Sequence, residues 1–116
     1  MFNYHELDVE KCEFVSIGLV EDLPPGERLF LEIDEMPIVV FNIAGQIFAI
    51  ADICSHDENP LGDGELDGFE VICPRHGARF DIRNGKSVLL PVIVDIPAYP
   101  IREIEGQIEI GLPLKE

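Results

Sequence analysis

Four side chains of metal-ligand type fall in two short pairs, Cys54-Ser55-His56 and, sixteen residues further on, Cys73-Pro74-Arg75-His76. A turn that carries a thiolate and an imidazole two or three residues apart can aim both at one centre, and two such turns complete a four-ligand site. Taken singly, a cysteine is a small buried hydrophobe and a histidine a hydrogen-bonded loop residue. It is the repeated pairing, which uses two of the three cysteines and two of the three histidines, that points to metal. Two centres accept this donor set. A structural zinc ion takes all four ligands tetrahedrally. A [2Fe-2S] cluster takes two thiolates on one iron and two imidazoles on the other. The common zinc-finger order places both cysteines before both histidines, the latter on a helix. Here the order alternates Cys-His-Cys-His, in a glycine-rich setting without a helical pattern.

The remaining chemistry-bearing residues offer less. Cys12 and His5 have no ligand-spaced neighbours, so Cys12 is expected in the core or at a strand edge and His5 at the surface. Asp63-Gly64-Glu65-Leu66-Asp67-Gly68 has the sixth-position glycine of a calcium loop but ends on Pro74 instead of Glu, with no flanking helices. No glycine-rich phosphate cradle lies between a strand and a helix, so nucleotide and flavin binding lack support. A further histidine pair with a carboxylate, as holds a mononuclear iron, is missing too. Any catalytic iron therefore belongs to another chain, and this one has no small-molecule substrate of its own.

The elements that must position the two pairs are strands. Apolar residues recur with period two in Val15, Ile17 and Leu19, and in Leu29, Leu31 and Ile33. MPIVVFNI and QIFAIAD follow, joined at Ala44-Gly45, and later come FEVIC, ARFDI, a stretch around SVLL, and PIREI and QIEIG joined at Glu105-Gly106. Asn84-Gly85 reads as a type I′ hairpin turn, because both central positions of that turn need positive φ. Between Cys54 and Ile72 glycines, acids and a proline replace the alternation, and a long loop inside a small domain usually carries function. The expected fold is all-β: an antiparallel sandwich or partly open barrel in one domain, residues 1–116.

Length and charge agree with a single acidic domain. The chain has 116 residues, with 23 Asp+Glu against 8 Lys+Arg and a formal net charge of -15. With 47% hydrophobic residues it has the apolar content of a folded protein, where disordered acidic chains do not. Such a surface repels phosphate backbones and anionic headgroups, which argues against nucleic-acid and membrane partners. The N-terminal stretch MFNYHELDVEKCEF has no basic segment followed by an apolar run, and an odd count of three cysteines makes a poor disulfide framework. A soluble, cytoplasmic protein is expected.

On the motif C-x-H, a spacer, then C-x-x-H-G, met here by Cys54, His56, Cys73, His76 and Gly77, the sequence resembles the Rieske [2Fe-2S] ferredoxins over most of its length. NPLGDGEL between the pairs, HGARFDIRNG after the second, and the proline-bearing VLLPVIVDIPAYP are similar as well. The resemblance implies one [2Fe-2S] cluster held by Cys54, His56, Cys73 and His76, in a small cluster-binding subdomain over about residues 53–83, with Pro91 in a loop covering it. It also implies a one-electron carrier without turnover of its own, passing electrons from a flavoprotein NAD(P)H reductase to a terminal ring-hydroxylating oxygenase. A small Rieske subunit of another reductase, an accessory protein of a metal pathway, and a zinc-binding interaction module are the alternatives.

Mixed ligation has a consequence for potential. Replacing two thiolates by neutral imidazoles makes the core less negative and easier to reduce, so Rieske centres lie at about -150 to +300 mV against about -400 mV for plant-type ferredoxins. High-potential members of the family carry an extra cysteine in each ligand loop and hydroxyl donors after the second histidine. The corresponding positions here are Asn59 and Arg75, and Ala78 and Phe80. With those devices missing and Asp57, Glu58, Asp63, Glu65, Asp67 and Glu70 between the pairs, a potential at about the -150 mV end is expected. Arg75 stands where ferredoxins of oxygenase systems often carry an aromatic residue.

Overall fold

In a computed structural model the described residues are 12–54, 59–74, 77–88 and 95–113. They form ten strands: β1 (Cys12–Leu19), β2 (Arg28–Ile33), β3 (Met36–Ile43), β4 (Gln46–Ala51), β5 (Leu66–Asp67), β6 (Glu70–Ile72), β7 (Arg79–Asp81), β8 (Ala98–Tyr99), β9 (Ile101–Ile104) and β10 (Gln107–Pro113). Every pairing is antiparallel, and three sheets result, in the orders β1-β10-β9, β2-β3-β4-β8 and β5-β6-β7. The only helical element among the described residues is a 3-10 turn at Val20–Asp22. The all-β expectation holds.

The run Ile38-Val39-Val40-Phe41 shows how the sheets stack. A half-buried strand alternates apolar and polar residues, whereas a strand covered on both faces is apolar throughout. All four side chains are at most 1% exposed. Ile38 and Val40 pack with Ala49, Ala51, Ile108 and Ile110, joining the central sheet to the β1-β10-β9 sheet. Val39 and Phe41 point the other way and pack with Leu61, Val71 and Phe80, which joins the central sheet to the small β5-β6-β7 sheet. The molecule is therefore three layers deep, with β3 and β4 in the middle.

Turn chemistry sets the registers. Ala44 (φ 53°) and Gly45 (φ 93°) close the β3–β4 hairpin, and Glu105 (φ 51°) and Gly106 (φ 80°) close β9–β10, as the sequence predicts. The β2–β3 hairpin turns on Asp34 (φ 51°) and Glu35 (φ 67°), two non-glycine residues in the left-handed region. Asn84-Gly85 departs from expectation: only Gly85 has positive φ. Its N–H donates to the Asp81 carbonyl at 2.7 Å, so the chain makes a longer turn after β7 instead of a two-residue hairpin. The stretch around SVLL contributes a single bridge, Phe80 to Ser87, within the described residues. Cys12 opens β1, opposite Pro113.

Candidate metal centre

Cys54 follows β4 and Cys73 follows β6, so the two thiols arrive from different sheets. Both are buried, at 0% and 1% exposure, in the apolar layer that also holds Val39, Phe41, Leu61 and Phe80. No disulfide joins them. The two cysteines share a local design. The N–H of Cys54 donates to the carbonyl of Asn59 at 2.9 Å, and that of Cys73 to the carbonyl of Ala78 at 2.7 Å. Each cysteine is thus bonded to the residue five positions ahead, and each predicted histidine falls between the bonded residues in the sequence. Gly77 (φ 73°) makes the return in the second loop, its N–H donating to the Cys73 carbonyl at 3.0 Å.

His56 and His76 lie outside the described residues, as do His5, Asp57, Glu58, Arg75 and Pro91. The structure accordingly brings Cys54 and Cys73 into one apolar layer, and among the described residues no three His, Cys, Asp or Glu side chains converge on a point. The donor chemistry suits an iron-sulfur centre. Two thiols buried in hydrocarbon are soft ligands in a water-excluded setting, the environment in which thiolate ligation to iron is retained.

The spacer between the pairs is held by two charged side chains on or directly beside the central sheet, neither of which the sequence pattern singles out. Asp52, just after β4, accepts the N–H of Leu61 at 2.8 Å and that of Gly62 at 2.6 Å through one oxygen. Arg28 of β2 donates through Nη1 to the carbonyls of Gly62 and of Gly64, the latter at 2.6 Å, while its guanidinium lies 5.3 Å from the centre of the Phe41 ring. Glycine is required at these turns by close approach. A Cβ on Gly62 would sit 2.8 Å from Val39, and one on Gly64 would sit 1.8 Å from the Ile72 carbonyl oxygen.

The acidic spacer meets cations from elsewhere in the fold. Arg79 of β7 pairs with Asp67 at 2.9 Å and with Glu70 at 3.3 Å. Arg83 binds Asp81 at 2.8 Å and lies 4.4 Å from the centre of the Phe69 ring, which in turn meets Phe48 of β4 edge to face. Burial alone would raise the Asp81 carboxyl, but hydrogen bonds from the Arg83 side chain and backbone hold it below the ordinary carboxylate value.

Comparison with known proteins agrees with this geometry. The Rieske [2Fe-2S] domain family matches residues 13–100. The ferredoxin subunit of 3-phenylpropionate/cinnamic acid dioxygenase from Escherichia coli K12 is 40% identical over 96 residues, covering 81% of this chain and 89% of that one. The ferredoxin of carbazole 1,9a-dioxygenase from Nocardioides aromaticivorans IC177 superposes with a TM-score of 0.77 at 28% identity, over 87% of this chain and 98% of that one. A ferredoxin in a complex of reduced oxygenase and oxidized ferredoxin of carbazole 1,9a-dioxygenase gives a TM-score of 0.78 at 25% identity, over 89% and 96% of the two chains.

Proposed function

The chain belongs to the Rieske [2Fe-2S] domain family, and from that premise we propose that it is the ferredoxin component of a ring-hydroxylating dioxygenase system, carrying electrons one at a time to the terminal oxygenase. The observation that carries the reading is the pair of buried thiols, each at the mouth of a loop closed by the same backbone bond and each followed by a histidine in the sequence. When bound, the cluster supplies a reversible one-electron couple. Cys54 and Cys73 would hold one iron as thiolates, and His56 and His76 would hold the other as neutral imidazoles. Val39, Phe41 and Phe80 exclude water from the two thiols.

The cluster-binding unit spans about residues 53–83 of one domain, residues 1–116. The electron donor is a flavin-containing NAD(P)H reductase, and the protein works in the cytoplasm. Support for the cytoplasm comes from cysteines that form no disulfide and from described residues without a helix long and apolar enough to cross a membrane.

Spectroscopy of the protein purified without oxygen tests the ligand set. The expected result is a red-brown protein with equal iron and labile sulfide, giving a rhombic EPR signal when reduced. Cys54→Ser and Cys73→Ser should each abolish that signal, and His56→Cys should preserve a cluster while lowering its potential toward the all-thiolate range. A colourless protein with stoichiometric zinc would overturn the reading.

A further inference from the structure

The spacer from Asn59 to Glu65 precedes β5 and is bonded at its two ends, the Asn59 carbonyl accepting from the Cys54 N–H and the Glu65 carbonyl from the Ile72 N–H of β6, so the backbone polar groups of its middle need other partners. Around Gly62 they are met by opposite charges. Its N–H, with that of Leu61, goes to the Asp52 carboxylate, and its carbonyl, with that of Gly64, goes to the Arg28 guanidinium. Charge-assisted bonds of this kind are roughly twice as strong as neutral ones. Arg28 lies in β2, and Asp52 directly follows β4 with its N–H bonded to the Pro37 carbonyl of β3, so both are anchored on the central sheet that also supplies Val39 and Phe41 to the layer of the cysteines. The grip therefore ties the segment joining the two ligand loops to the rigid sheet beneath them.

We infer that Arg28 and Asp52 are positioning residues, a two-sided clamp that fixes the spacer and so presets the separation of the two ligand loops before the cluster enters. The inference rests on the ligand set proposed above. Its first consequence is that the apoprotein keeps the spacer ordered. Its second is that a protein without the clamp loses its cluster faster, since the loops can then part without breaking any strand pairing.

The test compares wild type with Arg28→Met, Arg28→Lys and Asp52→Ala. Arg102→Met serves as control, because Arg102 also makes a carboxylate bond and a ring contact, to Glu109 and Phe14, but on the opposite outer sheet. Three quantities are read: bleaching of the visible absorbance by an iron chelator, the width of the reduced EPR lines, and amide exchange in the apoprotein. Arg28→Met and Asp52→Ala should bleach about tenfold faster or more, the effect of losing a hydrogen bond to a charged group. Their EPR lines should broaden, and exchange should accelerate at residues 59–65 while β10 stays protected. Arg28→Lys should restore most of the retention, and Arg102→Met should match wild type. Bleaching and exchange at wild-type rates in both clamp variants would overturn the inference, as would acceleration spread evenly through β10. If Arg28→Met does not fold, Asp52→Ala decides from the other side of the same residue. A wild-type protein that takes up no cluster would remove the functional reading, yet apoprotein exchange, which needs no iron, would still decide the clamp.

Discussion

If Cys73 ligates the cluster as proposed, hydroxyl groups at Ala78 and Phe80 would change the electron affinity of that centre. Phe80 is wholly buried in the layer of the two cysteines, and Ala78 already fixes the Cys73 loop through its backbone carbonyl. Altering the two side chains therefore leaves the loop closure intact while adding donors. Ala78→Ser combined with Phe80→Tyr should raise the midpoint potential by about 40 mV per hydrogen bond gained, taking about 1 kcal/mol for each. A redox titration that returns the wild-type value would sink this account. That Cys54 and Cys73 come into one buried layer was legible in the sequence, since each heads a short Cys/His pair. Arg28 and Asp52 were not: the Arg28 contacts reach 34 and 36 residues along the chain, and a lone basic or acidic residue near a strand carries no sign of such a partner. Nor did the string of acids show that Arg79 would fold back onto Asp67 and Glu70, so the spacer is less negative in space than on paper.

At the scale of elements, the longer strands follow from period two, and β3 declares its central place by an unbroken apolar run. The two-residue strands β5 and β8 have no pattern long enough to show one. The β2–β3 turn escaped notice because Asp34-Glu35 lacks the glycine that usually marks positive φ. Glu35, exposed at φ 67°, holds a left-handed conformation only because the paired strands on either side demand it. Glu35→Gly should stabilise the fold by about 1 kcal/mol and raise the melting temperature by about 4 °C or more, with the potential unchanged. An unchanged or lower melting temperature would show that the turn carries no strain. Asn84-Gly85 gives the converse lesson. The glycine is needed, but a Cβ there would fall 1.9 Å from the Ile96 carbonyl oxygen, so close approach as well as turn type demands it.

For the whole molecule, the distribution of charge matters more than its sum. The net charge is -15, and the arginines at 28, 79, 83 and 102 are all engaged within the fold, leaving Asp63 and Glu65 exposed on the spacer between the two Cys/His pairs. A basic docking face would be attracted from a distance, and salt would screen that attraction, since the Debye length is about 10 Å at 0.1 M. Association with the oxygenase, followed by stopped flow, should slow about tenfold or more from low to high ionic strength. Rates insensitive to salt would assign the acidity to solubility alone. The pairing of the first described strand with the last has a different kind of consequence. Cys12 and Pro113, the first and last described residues, lie opposite each other in the β1-β10-β9 sheet, across the central sheet from Cys54 and Cys73. A unit built this way can be spliced into a longer chain as a cassette, its two junctions adjacent and distant from the layer of Cys54 and Cys73.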